Sequence, residues 1–157
     1  MKKILFLAFF IGFTGLLFSL ELGSLEKRII NATPEEMKTM ILNANAREFQ
    51  GLYNQYEDYE EDELLAAYKK AFPKIDVEYD LPFMVMKLVI VLTLGSEDQE
   101  LIEQGIGFIQ NCLEVVALIE IAEGQGFDTE EIAVIKNNRY WNDCAQFVKT
   151  FDLTQVR

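Results

Sequence analysis

Three stretches of this sequence carry the chemistry of a helix start, and apolar residues at helical spacing follow. In Thr33-Pro34-Glu35-Glu36, Thr33 is placed to cap, Pro34 suits the first helical position and Glu36 completes a capping box. Met37, Met40, Ile41 and Ala44 then recur at steps of three and four. Ser96-Glu97-Asp98-Gln99 reads as a second capping box. It opens a helix expected from Glu97 towards Glu123, with a stripe of Ile106, Ile109, Cys112, Leu113, Val116 and Leu118 or Ile119. Phe127 to Ile132 is the third start, with Asp128 as the expected cap and Phe127 and Ile132 as a hydrophobic staple.

The remaining punctuation agrees. A short turn of helix is expected from Ser24 to Ile30. The pattern after Thr33 is expected to run past Phe49, with Gly51 as a weak point. Leu64, Leu65, Tyr68 and Phe72 form an apolar stripe that Pro73 ends. Phe83 to Leu94 is apolar except for Lys87 and Thr93, which suits a helix buried on most sides. Val89-Ile90-Val91 would also suit a strand. Lys74 to Leu81 alternates and reads as a connection or a short strand. Gly105 and Gly107 would allow close helix approach or a kink, and Gly124 and Gly126 end the long helix. Asn137-Asn138 breaks the pattern before a last helix carrying Trp141, Cys144, Ala145, Val148 and Phe151 on one face. No internal repeat appears. The expected fold is all-α, a single-domain bundle of about five or six helices after an N-terminal signal segment.

That segment begins with Met1-Lys2-Lys3, and Ile4 to Leu20 then holds seventeen uncharged residues. A basic start followed by an apolar run is the secretory pattern. Residues 1–19 are expected to be a signal peptide, with the cut placed between 19 and 24, and 20–157 to be one acidic helical domain. The fit is imperfect, because Leu17 is not small at the third position before a cut after Ser19. The alternative is a membrane anchor formed by residues 4–20, at the short edge of a span. Either way the body lies outside the cytosol, secreted or periplasmic. In such a compartment, two cysteines in the body suggest a Cys112–Cys144 disulfide, worth about 3–4 kcal/mol by loop-closure entropy.

Composition then narrows function. The chain has 14 basic and 26 acidic residues, a net charge of −12. Losing residues 1–19 would take this to −14, because two lysines and no acid leave with them. Such a charge repels phosphate backbones and anionic lipid, so nucleic acid is not an expected partner. With no histidine, imidazole triads are unavailable, and two cysteines cannot build a four-cysteine zinc site. No metal, cofactor or catalytic residue is expected. An enzyme working through carboxylates alone stays as a minor alternative.

The most unusual stretch runs from Tyr53 to Glu63. Tyr53, Tyr56 and Tyr59 fall at helical steps among Glu57, Asp58, Glu60, Glu61, Asp62 and Glu63. Tyrosine offers amphipathic contact area, and the carboxylates suit a basic protein or peptide. These nine residues are the expected partner-binding face, against the plainer reading of a solvated helix face. Asp76, Glu78 and Asp80 resemble the start of a calcium loop, but Leu81 stands where its glycine is needed and Lys87 where its glutamate is needed. Asn31-Ala32-Thr33 is a glycosylation sequon in a eukaryotic secretory pathway. Phe83, Met84, Met86, Phe108 and Ile109 would line a pocket if the protein carried an apolar ligand such as a lipid, against the simpler reading of a filled core. The leading expectation is an exported acidic helical protein that binds a macromolecule, as an inhibitor, an immunity-type protein or an accessory subunit.

Overall fold

The structure, a computed structural model, describes residues 20–57, 60–127 and 129–151. The expected signal peptide therefore lies outside the described residues, as do Asp58, Tyr59 and Asp128. The described residues are all-helical, with no strand. They form eight helices: α1 (Ser24–Asn31), α2 (Pro34–Leu42), α3 (Ala46–Glu57), α4 (Glu61–Ala71), α5 (Asp80–Leu94), α6 (Gln99–Gly124), α7 (Glu130–Asn137) and α8 (Arg139–Thr150).

The all-α class stands, but five or six helices become eight, because local hydrogen bonding cuts the chain more finely. Asn43 caps the end of α2 by donating its backbone N–H to the Thr39 and Ile41 carbonyls. Asn45 then takes the Arg47 N–H on Oδ1 at 3.3 Å, just before α3 starts at Ala46. Helix α3 runs through Gly51 to Glu57, and α4 begins at Glu61. Asn138 serves two helices: its N–H closes α7 on the Ile135 carbonyl, and its Oδ1 accepts from the Trp141 N–H at 3.0 Å to open α8.

The Thr33 capping box is present as read. Thr33 N–H donates to Glu36 Oε2 at 2.8 Å, and Glu36 N–H donates to Thr33 Oγ1 at 3.3 Å. The other two starts shift. At α6 the cap is Asp98, whose Oδ1 accepts from Glu100 N–H at 2.9 Å. Ser96 instead takes the Asp98 N–H at 3.0 Å, one step upstream. At α7 Thr129 caps by accepting from Ile132 N–H at 3.2 Å, and Phe127 is exposed. Gly126 ends α6 with a positive φ of 79°. Its N–H donates to the Glu123 carbonyl and Phe127 N–H to that of Ala122, the paired closure that favours glycine.

Helix α5 is the centre, and α1, α2, α3, α6 and α8 all pack on it. Its residues are buried on nearly every side, including Met84, Leu88, Ile90, Val91, Leu92 and Leu94, so the apolar run is a core helix. Gly105 explains how α6 comes so close. A Cβ there would stand 2.3 Å from Thr93 Oγ1 and 3.0 Å from Leu94 Cδ2, whereas Gly107 faces open space. Helix α8 packs on α5, α6, α2 and α7 through Trp141, Cys144, Phe147 and Val148.

The expected disulfide is not formed. Cys112 and Cys144 are both buried free thiols. Each is engaged with α5 by itself: Cys112 Sγ lies 3.4 Å from Met86 Sδ, and Cys144 Sγ donates to the Phe83 carbonyl at 3.6 Å. Burial pushes the Cys112 thiol up to about 12 and the Cys144 thiol upward as well. Both behave as small apolar groups filling the core.

Candidate functional site

The tyrosine-rich acidic segment is not one helix face. Tyr53, Tyr56 and Glu57 belong to α3, while Glu60 precedes α4 and Glu61, Asp62 and Glu63 form its first turn. That position gives the acids a local reason to gather, because carboxylates are favoured at the positive end of a helix dipole. Glu60 N–H also donates to Glu63 Oε2 at 3.3 Å. Yet a helix end presents only about half a unit charge, so this run of carboxylates remains in large excess.

The fold adds a second acidic run that sequence reading passed over. Tyr53 Oη of α3 approaches Gln104 Oε1, in the second turn of α6, to 3.5 Å, a long contact. There Glu97, Asp98, Glu100 and Glu103 are exposed around the helix N-terminus. The signal for both runs was in the chain. Residues 48–68 contain no lysine or arginine, and neither do residues 88–135. Among the described residues, every ion pair uses other acids: Glu21 with Lys70, Asp143 with Lys87, Glu123 with Lys136 and Glu120 with Lys149.

The remaining candidates are tied into the fold. Asp76 Oδ1 accepts from Glu78 N–H at 3.0 Å and Tyr79 N–H at 3.3 Å, closing the turn before α5. Asp80 accepts from Asp76 N–H at 2.8 Å on one oxygen and from Asn138 Nδ2 at 2.6 Å on the other. Among the described residues, no three His, Cys, Asp or Glu side chains are grouped to hold a metal ion. In the sequon, Asn31 Nδ2 donates to the Lys27 carbonyl at 2.8 Å and Thr33 Oγ1 to Glu36 Oε2 at 2.9 Å. Of the residues read as a ligand pocket, Met84, Met86 and Ile109 are buried in the core, and the Phe83 ring packs on Trp141 with centroids 5.1 Å apart.

Lys87 reads in the sequence as an interruption of the apolar run, but it is the least exposed charged residue among the described residues. Its side chain is 0% exposed. Nζ donates to the Ala32 carbonyl between α1 and α2, pairs with Asp143 Oδ2 of α8 at 3.1 Å, and lies 5.9 Å from the Tyr140 ring centroid. One ammonium thus joins α5 to α8 and to the α1–α2 link. Solvent does not reach it, so its role is to hold helices together.

Open grooves carry mixed polar and apolar linings. One, of about 430 Å³, lies between the turn before α5 and α7, with Asp76, Tyr79, Asp80, Glu130 and Arg139 in its wall. Glu78, with Glu131, Asp76 and Glu130, raises the Tyr79 hydroxyl above its ordinary value. Compared with protein families, curated proteins and solved structures, the chain shows no significant match to any of them.

Proposed function

We propose that this is an exported, non-catalytic helical protein that binds a cationic macromolecule, most simply a basic protein or peptide, through its acidic face. Inhibition of that partner, its neutralisation in the manner of an immunity protein, or service as an accessory subunit would each use such a face. The observation that carries the reading is the pair of cation-free acidic stretches: residues 48–68 and 88–135 hold no lysine or arginine, and among the described residues no ion pair uses Glu60 to Glu63 or Glu97 to Glu103. Carboxylates left without local cations raise the field outside the molecule and speed encounter with a positive partner. Tyr53, half-buried beside Gln104, supplies the amphipathic surface such contacts use.

Export rests on the basic start and the uncharged run from Ile4 to Leu20. Buried thiols neither require nor forbid an oxidising compartment, so they carry no weight here.

Two measurements test the proposal. The purified chain is titrated with a fluorescent oligolysine peptide at low and high salt, beside a variant carrying Glu60→Gln, Glu61→Gln, Asp62→Asn and Glu63→Gln. Salt-sensitive binding that weakens in the variant is expected. Absence of binding at low salt, or an unchanged variant, would refute the binding face. Sequencing the N-terminus of the native protein tests export, and an intact Met1 on cytosolic protein would remove it.

A further inference from the structure

Among the described residues, helix α6 turns one face into the core and leaves the other exposed. Ile102, Gly105, Ile109, Cys112 and Val116 line the buried side. On the opposite side, steps of three and four residues that pass through the half-buried Gly107 place the exposed Glu100, Glu103, Asn111, Glu114, Leu118 and Ile121 in one stripe. At 1.5 Å per residue the stripe is about 32 Å long. It is graded. Carboxylates occupy its N-terminal end, Glu114 stands midway, and Leu118 and Ile121 end it at 64% and 54% exposure. Gly107 leaves a flat place between the two ends, since a Cβ there would meet nothing within 4 Å. Among the described residues, no ion pair uses Glu100, Glu103 or Glu114.

An aliphatic pair this exposed, on a helix otherwise apolar enough to cross a bilayer, is surface that binding would bury. Charge chooses the occupant. A second copy brings another net charge of −12, and anionic lipid is repelled for the same reason. What complements the stripe is a segment positive at one end and apolar at the other. We infer that α6 is the docking rail for an amphipathic helix of the cationic partner, with lysines or arginines beside Glu100 and Glu103 and aliphatic side chains on Leu118 and Ile121. This rests on the acidic-face reading above and adds the apolar half of the contact. Recognition is then a helix laid along a helix, with anchors at helical spacing.

The test uses the full chain and two 20-residue helical peptides. One carries lysines on its first two turns and leucines on one face of its last two. The other has serine in place of each leucine. Dissociation constants are measured by anisotropy at low salt for the native chain, for Leu118→Ser/Ile121→Ser and for Glu100→Gln/Glu103→Gln. Circular dichroism confirms that both variants fold. The leucine peptide is expected to lose about tenfold in affinity for Leu118→Ser/Ile121→Ser, from lost apolar burial, while the serine peptide is unaffected. The glutamine variant is expected to weaken both peptides. If Leu118→Ser/Ile121→Ser binds the leucine peptide as the native chain does, the apolar contact is refuted while the acidic-face reading stands. If neither peptide binds the native chain, both readings fall. Flotation with zwitterionic vesicles and sedimentation of the chain alone complete the set. Vesicle binding or dimerisation that Leu118→Ser/Ile121→Ser abolishes would overturn the inference in favour of lipid or a second copy.

Discussion

Removing either partner of the Lys87–Asp143 pair should destabilise the protein, but not equally. Lys87 is 0% exposed, whereas the Asp143 side chain keeps 22% of its surface in solvent. Asp143→Ala strands a fully buried ammonium with the Ala32 carbonyl and the Tyr140 ring as its remaining company. An uncompensated buried charge of this kind costs about 3–5 kcal/mol. Lys87→Met keeps the volume and the apolar stem, and the carboxylate it leaves behind rehydrates through its exposed side. The remaining loss is the donor to Ala32, about 1–3 kcal/mol for an unsatisfied buried carbonyl, partly offset by burying the thioether. Asp143→Ala should therefore be the worse variant by about 2 kcal/mol. Urea unfolding read on Trp141, the single tryptophan and only 5% exposed, gives both values. With an m-value of about 2 kcal/mol per molar, that difference shifts the midpoint by about 1 M. The double variant should recover part of the Asp143→Ala loss. Equal losses, or a larger one for Lys87→Met, would refute the burial asymmetry on which the reasoning stands.

Other expectations follow from the same structure. Gly105→Ala should cost about 1–3 kcal/mol because its methyl collides with Thr93, while Gly107→Ala should gain up to about 1 kcal/mol from helix propensity. Thermal unfolding of the two variants should show opposite shifts, and matching signs would contradict the α5–α6 approach. Thiol reagent should modify neither cysteine in the native state and both after unfolding, and rapid native reaction would place the thiols outside the core. Cys112 is raised from 9.0 to about 12, so the folded state holds its proton more tightly than the unfolded chain. Its contribution is complete below pH 9 and is lost as pH rises towards 12. Cys112→Ala should flatten the alkaline part of a stability–pH curve, and an unchanged slope would refute the assignment. Thr33→Ala should cost about 1 kcal/mol through loss of the capping box, measured by urea unfolding.

How much of this was legible in the chain depends on how local each cause was. Helix existence, the Thr33 box, the burial of Phe83 to Leu94 and the stop at Gly126 all follow from residues within one or two turns of one another, so spacing alone reveals them. Helix number was less legible, because Asn43, Asn45 and Asn138 end and restart helices by hydrogen bonds that compete with simple periodicity. The carboxylates from Glu57 to Glu63 were visible as a cluster, but their division between the end of α3 and the start of α4 was not.

Two features came only with tertiary packing. Cysteine count and an export-like start argued for a bridge, yet each thiol settled against its own neighbour on α5. Pairing two side chains 32 residues apart in sequence depends on rotamer and facing, which no spacing rule encodes. Likewise, composition declared an acidic chain, but that Tyr53 of α3 would reach Gln104 of α6 depended on how the helices pack. Local propensity and patterning determined the elements and their buried faces. The three-dimensional fold alone decided which surfaces those elements share, because contact between distant residues is set by packing against a common core.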